Sequence, residues 1–357
     1  MTFVHLTLLT LAKTTPLLLA TLGGLLSESA GVVNFALEGM MLAGAFGGVW
    51  AAIVTGSPWA GLAAAAGAGL FVGLLHALAC LSLKANPIVS SIALNLLASG
   101  LTGLLLHQVF HAYGSSPEAP TLPVLDTSFL FPRGHAPSTG LSVMDPLAIL
   151  AGVAIVAWFR WSVGGLRLRA CGENPQAARA AGLSVTRIRW LAVASGGLLA
   201  GAGGAALSIG ELSQFVENMT QGRGYLAIAA LILARWRPGG VLLAALFFGF
   251  TGALSEWCAV LWPRFPSQLF LALPYLVCLA VLTARLGRRG PPSGLLSGHQ
   301  AVLILRKSAT WPNKSPMRVS RAKRLRRISG SSSITRTESK KASMAGLRSA
   351  MASRASA

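Results

Sequence analysis

With 357 residues, 53% of them hydrophobic and only 11% charged, and a mean hydropathy of +0.62, the chain has too few charges for a water-facing surface; soluble domains carry about 25% charged residues. The formal net charge of +20 is unevenly spread: through Leu286 there are 14 Lys/Arg against 9 Asp/Glu, and from Gly287 onward 16 against the single acid Glu338. Composition therefore excludes a soluble globular domain and sets the class as an all-α polytopic membrane protein with a basic tail.

A membrane span needs roughly 20 apolar residues, and about nine helices are predicted on that basis, some of them short. The first four cover 6–26, 32–54, 59–83 and, after the turn Lys84-Ala85-Asn86-Pro87, 88–110. Lys13 before an apolar run superficially fits a signal peptide, but the spans that follow make it part of a first membrane helix. A polar Pro/Ser-rich loop, 112–143, separates these from a fifth helix at 146–161. An arginine-rich loop, 162–189, leads to a sixth helix at 190–209. A polar stretch at 211–224 opens a short helix at 225–235, and two more follow at 241–261 and 268–286.

Charge orients this series. With the arginine loop in the cytoplasm, Lys84, Arg235, Arg237, Arg285, Arg288 and Arg289 fall on the same side, while the opposite loops keep only Arg133, Arg223 and Arg264. That is the positive-inside bias, and it puts the N-terminus outside and the C-terminal tail inside. Trp158, Trp161, Trp190 and Trp236 then anchor one interface, Trp59 and Trp262 the other. The spacings Gly44-x-x-x-Gly48, Gly69-x-x-x-Gly73 and Gly197-x-x-x-Gly201 point to closely packed helices. From residue 290 the composition cannot bury a core, and 290–357 is expected to be a disordered, solvated or non-selected tail without a nucleic-acid role.

Several constellations carry chemistry. In Glu28-Ser-Ala-Gly-Val-Val-Asn34-Phe-Ala-Leu-Glu38, two carboxylates and an amide stand at a helix join. Polar groups at membrane depth line a pathway or fasten helices; with Asn34 and Glu38 read as i and i+4 on one face, both roles stay open. Ser91 and Asn95, after the Asn86-Pro87 helix start, pose the same choice between pathway lining and packing. His107 and His111 share a helix face without a third metal ligand, and Cys80, Cys171, Cys258 and Cys278 show no paired spacing, so neither a metal nor a disulfide framework is expected. Gly222-Arg-Gly224 reads as a tight turn into a short helix.

The arginine loop is the most specified segment. Asn174 can cap a helix with Pro175 at its first position, Gln176 to Ala181 propagate it and Gly182 stops it. So short a helix needs a partner for stability, which suggests a docking element for a separate motor protein. Neither a phosphate-binding Gly-x-x-x-x-Gly-Lys-Ser/Thr loop nor a paired acid–base site is present, so no catalytic or cofactor-binding residues are assigned and any ATP is bound by another chain.

Four segments together carry a family resemblance: Glu28 to Phe46, Asn86 to Ala98, Gly165-Leu-Arg-Leu-Arg-Ala-Cys-Gly-Glu-Asn-Pro-Gln-Ala-Ala-Arg-Ala-Ala-Gly182, and Gly222-Arg-Gly-Tyr-Leu-Ala-Ile-Ala-Ala230. They resemble permease subunits of ABC importers, in the nucleoside and simple-sugar branch of the ribose and branched-chain amino-acid permease family. The resemblance spans about 6–286; Cys171 and Ala234 depart from it mildly. It implies a type II-importer-like bundle over 1–289 in a bacterial inner membrane. The implied partners are a second related permease, two ATPase chains and an extracytoplasmic binding lipoprotein. Glu173, Asn174, Ala177, Ala178, Arg179 and Gly182 are then the ATPase-coupling residues, and Asn34, Glu38, Ser91 and Asn95 line the substrate path. The expected cargo is a nucleoside or simple sugar; branched-chain amino acids or another small solute, and ion-coupled secondary transport, are the alternatives. A secondary transporter needs midplane acids, for which only Glu38 qualifies, and has no use for a docking helix.

Overall fold

The computed structural model describes residues 3–125 and 140–284. The basic segment 290–357, the expected boundary at 289, and Arg133, Arg285, Arg288 and Arg289 lie outside the described residues.

Twelve helices are present among the described residues: α1 (Phe3–Ser29), α2 (Leu37–Thr55), α3 (Pro58–Ala77), α4 (Pro87–Phe110), α5 (Met144–Trp161), α6 (Val163–Glu173), α7 (Pro175–Ala180), α8 (Val185–Leu207), α9 (Arg223–Ala234), α10 (Pro238–Leu261), α11 (Ser267–Leu271) and α12 (Leu273–Ala284). A π turn extends α3 over Leu78–Ser82, and another extends α8 over Ser208–Leu212. Between α4 and α5, β1 (Val124–Leu125) pairs antiparallel with β2 (Leu141–Ser142). That ladder, and a bridge from Ser115 to Val216, give the expected loop local order.

Seven of the helices are long and apolar enough to cross a membrane. Two of the nine expected helices are not among these seven. The remaining two apolar segments, Arg223–Ala234 and Gln268–Val281, stand where the short helix 225–235 and the last helix 268–286 were predicted. A twelve-residue helix such as α9 rises only about 18 Å, against a hydrocarbon core of about 30 Å.

Glycine decides the packing. A Cβ on Gly69 would lie 2.3 Å from the Gly197 carbonyl oxygen, and one on Gly44 2.4 Å from that of Gly201, so α3 and α2 meet α8 backbone to backbone. The spacings singled out in the sequence thus converge on α8. Around this seam lie Leu22, Leu25, Met40, Met41, Val49 and Leu207, all fully buried. Helix α4 turns apolar residues outward, Leu96 being 70% exposed, as lipid or a partner helix requires. Within α1, Pro16 removes one backbone donor. Just before it, the Thr14 hydroxyl bonds the Thr10 carbonyl at 2.6 Å, and Thr15 donates to Asp145 Oδ1 at 2.5 Å, tying α1 to the start of α5.

Candidate functional site

Polar side chains concentrate where α1 gives way to α2. The sequence placed Asn34 on a helix beginning at 32. Instead Gly31 adopts φ +86°, residues 32–35 are non-helical, and α2 starts at Leu37. Asn34 therefore shares no helix face with Glu38.

Non-helical backbone inside a membrane bundle must find partners within the protein, and each polar residue here supplies one. Val33 offers its carbonyl to His76 Nε2 at 3.0 Å, and His76 Nδ1 meets Ser90 Oγ at 3.1 Å. Asn34 donates to Ser27 Oγ and accepts from the Ala36 N–H, both at 3.1 Å. The Phe35 N–H donates to Ser91 Oγ at 3.1 Å, and the Phe35 carbonyl accepts from Asn95 Nδ2 at 2.9 Å. Asn95 Oδ1 takes the Gly39 N–H at 2.8 Å, and its amide also donates to the Tyr225 hydroxyl at 2.9 Å.

Glu38, in the first turn of α2, reaches α9 instead. Its two carboxylate oxygens accept the N–H groups of Gly222 and Gly224, each at 2.7 Å. The Gly222-Arg-Gly224 turn thus presents the open N-terminus of α9 to an anion, where unpaired amides and the helix dipole favour negative charge. At the other end of α9, Trp236 Nε1 donates to Glu28 at 2.6 Å. So Asn34, Glu38, Ser91 and Asn95 do come together, with His76 and Tyr225, which the sequence did not single out, bonded to the same link and to Asn95, while Trp236, read there as an interfacial anchor, holds Glu28. A lone histidine in an apolar helix gives no periodic signal, and a tryptophan at an interface reads as an anchor.

The arginine loop forms its helix where the cap was placed. Asn174 Oδ1 accepts the Ala177 N–H at 3.0 Å, Pro175 opens α7, and Gly182 at φ +80° ends it while the Leu183 N–H returns to the Ala178 carbonyl at 3.0 Å. Residues 163–173, expected as loop, form α6 instead, begun by Ser162, whose Oγ accepts the Gly165 N–H at 3.0 Å. Glu173, Asn174, Ala177, Arg179 and Gly182 are exposed on the outer side of this element. Ala178 points inward, buried against Cys171 and Val185. Burial pushes the Cys171 thiol up, against a pull in the other direction from the nearby Arg189 charge.

Two close contacts join this element to the α1–α2 link. A Cβ on Gly172 would sit 2.1 Å from the Ser29 carbonyl oxygen, so α6 abuts the end of α1 directly. Arg189 Nε donates to the Ala30 carbonyl at 3.0 Å. The link is therefore held at one end by α6 and α8 and at the other by α3, α4 and α9.

At the opposite end of the bundle Lys13 pairs with Glu211 and, at 2.8 Å, with Glu256. Beside it a cavity of about 320 Å³ is lined by Glu256, Gln221, Arg223, Ser255 and Tyr275. His107 faces the Tyr113 ring at 4.6 Å, and among the described residues no three His, Cys, Asp or Glu side chains group as metal ligands.

Residues 6–282 match the family model described as the permease component of branched-chain amino acid transport systems. A guanosine ABC transporter permease of Bacillus subtilis is 36% identical over 298 residues, covering 79% of this chain and 92% of that protein. A putative glucose ABC transporter permease of Haloferax volcanii is 36% identical over 320 residues, with 81% and 95% covered. A nucleoside ABC transporter permease of Lactococcus lactis is 34% identical over 303 residues, with 79% and 92% covered. No solved structure matches the chain.

Proposed function

The chain belongs to the permease-component family of branched-chain amino acid transport systems, and we propose that it forms the translocation path for a nucleoside as one membrane subunit of an ATP-driven importer. A permease component is not an enzyme; ATP hydrolysis belongs to separate subunits. The observation that carries the reading is the likeness to guanosine and nucleoside permeases over nine-tenths of their length. The equal identity to a putative glucose permease keeps a simple sugar as the second reading.

In this proposal the ATPase docks on the exposed side of α7, with Glu173, Asn174, Ala177 and Arg179 at the contact. Ala178 anchors α7 to Cys171 and Val185, so a push on α7 is carried through α6 to Ser29 and Ala30. From there the α1–α2 link passes it to Asn95, Glu38 and the α9 turn. Packed elements joined by short polar bonds move as discrete units, which is how a small displacement at one end becomes a rearrangement at the other.

The path runs along the outward side of α4 and α9, where Tyr225 is 47% exposed and Ser99 Oγ donates to Asn218 Oδ1 at 2.6 Å. Asn34, Ser91, Asn95 and Glu38 form the layer behind this surface and set its shape. A second, related permease closes the other side, a binding lipoprotein delivers cargo at the Lys13 end, and the two short apolar helices complete nine crossings in a type II-importer-like bundle.

The test is uptake by cells expressing the chain with the transport proteins that co-purify with it. Labelled guanosine accumulates and stops on ATP depletion with the ion gradients clamped. Glucose uptake in its place moves the assignment to the sugar reading, and uptake that persists without ATP removes the importer.

A further inference from the structure

A cavity of about 690 Å³ lies between α5, α6 and α8 at the α7 end of the bundle. Its composition is graded. Arg167 and Arg187 stand at its rim, both exposed, with Trp158 beside them, while Leu26, Leu168 and Ala192 form the floor. No acidic residue lines it.

From the cavity an exposed strip runs down one face of α8. Arg187, Leu191, Ser195 and Leu198 follow one another at i, i+4, i+8 and i+11, a single helix face. Leu191 is 70% exposed although it lines the cavity, so that side opens outward instead of into the core. Eleven residues of helix rise about 16 Å, which is half the thickness of a hydrocarbon core of about 30 Å. Across the groove the Trp158 indole lies over Gly164, where a Cβ would meet its ring at 2.8 Å, so the backbone of α6 backs the ring directly.

We propose that this groove is a binding site for an anionic phospholipid of the adjoining leaflet. Its phosphodiester lies between Arg167 and Arg187, and one acyl chain runs down α8 over Leu191 and Leu198. Two guanidiniums at the level where a span begins, above an apolar trough one leaflet deep, match a phosphate joined to a hydrocarbon tail. A free phosphate uses the arginines but not the trough, and a neutral lipid uses the trough but not the arginines. Because Gly182, Leu183 and Ser184 also line the cavity, the lipid touches the segment that connects α7 to α8. The site concerns the membrane and does not depend on which cargo is carried.

The experiment uses the full chain purified with its co-expressed partners in nanodiscs, probed with spin-labelled phosphatidylglycerol and phosphatidylcholine. The wild type is expected to retain an immobilised phosphatidylglycerol component in excess over phosphatidylcholine. R167Q and R187Q should each weaken that excess roughly fivefold, and the double variant should abolish it. R237Q, at the same end but outside the groove, should keep it. Leu191→Trp, at an exposed position, should reduce the immobilised component with both arginines intact. Equal immobilisation of the two lipids by the wild type overturns the proposal, as does a double variant that retains the full excess. Displacement of the lipid by millimolar inorganic phosphate with no effect of Leu191→Trp also overturns it, making the site one for soluble anions.

Discussion

Glu38 and Gly224 stand 186 positions apart and meet at 2.7 Å, carboxylate oxygen to backbone N–H. With the second oxygen on the Gly222 N–H, also at 2.7 Å, one side chain fixes the start of α2 against the start of α9. Hydrogen bonds to a charged acceptor are worth about 1.5–3 kcal/mol each. Glu38→Gln keeps one acceptor and loses the charge, so the purified chain should lose about that much stability. Uptake should fall sharply while the amount of chain in the membrane stays near normal. Wild-type uptake by the variant would show that the α2–α9 tie plays no part in transport.

Asn95 serves Phe35, Gly39 and Tyr225 at once, and its two possible roles separate by mutation. Interhelical bonds of this kind average about 0.6 kcal/mol each. Asn95→Leu also strands the Gly39 N–H and Phe35 carbonyl, so a loss of about 2–4 kcal/mol is expected. Tyr225→Phe removes only one bond at a half-exposed position, and should raise KM for uptake with little change in thermal stability. If Tyr225→Phe leaves KM alone, the α4–α9 surface is not where cargo passes.

These two residues also show how far the sequence could be read. Helix positions, the Asn174 cap and the Gly182 stop were legible because hydropathy and capping are local properties. The start of α2 was not: Asn34 and Glu38 fit a helical spacing, and the unwound backbone between them exists only because His76, Ser91 and Asn95 arrive from α3 and α4 to satisfy it. Such support is tertiary and leaves no pattern in the segment itself. For the same reason α6 was read as loop, since its low apolar content hid a helix that owes its place to Gly172 lying against Ser29.

Gly172 offers a direct test of coupling. Alanine there forces a methyl carbon against the Ser29 carbonyl oxygen, backbone against backbone, at a typical overpacking cost of about 1–3 kcal/mol. Gly172→Ala should tilt α6 away from α1 while α7, on the far side of Asn174, still docks. ATP hydrolysis by the reconstituted complex should then persist with uptake reduced, raising the ATP consumed per molecule imported. An unchanged ratio would mean that the α6–α1 contact transmits nothing.

Lys13 holds Glu211 and Glu256 together. Lys13→Met leaves two carboxylates facing each other near the membrane end of the bundle. The cost should fall below the roughly 3–5 kcal/mol of breaking a fully buried pair, because the Glu256 side chain is 51% exposed. The triple variant with Glu211→Gln and Glu256→Gln should recover most of the loss. Failure of that rescue, measured by thermal unfolding in detergent, would show that Lys13 stabilises by packing its stem and not by charge.

Cys171 gives the proposed coupling a readout. It is fully buried between Ala178 and Val185, and its thiol is pushed up by that burial. Thiolate, the reactive form, is therefore scarce at neutral pH, and both access and ionisation limit labelling. With a raised pKa the neutral thiol is the stable form in the folded element. The maleimide reaction rate should thus keep rising with pH beyond the range where an ordinary thiol, at about 8.5, has levelled off. In the proposed coupling, ATPase action on α7 separates Ala178 from Cys171 and admits water and reagent, so turnover with ATP should accelerate labelling relative to a non-hydrolysed analogue. With Cys80, Cys258 and Cys278 replaced by Ala or Ser, the readout belongs to this site alone. If the rate is the same with and without turnover, the Ala178 contact does not open in the cycle, and the proposed push does not pass through it.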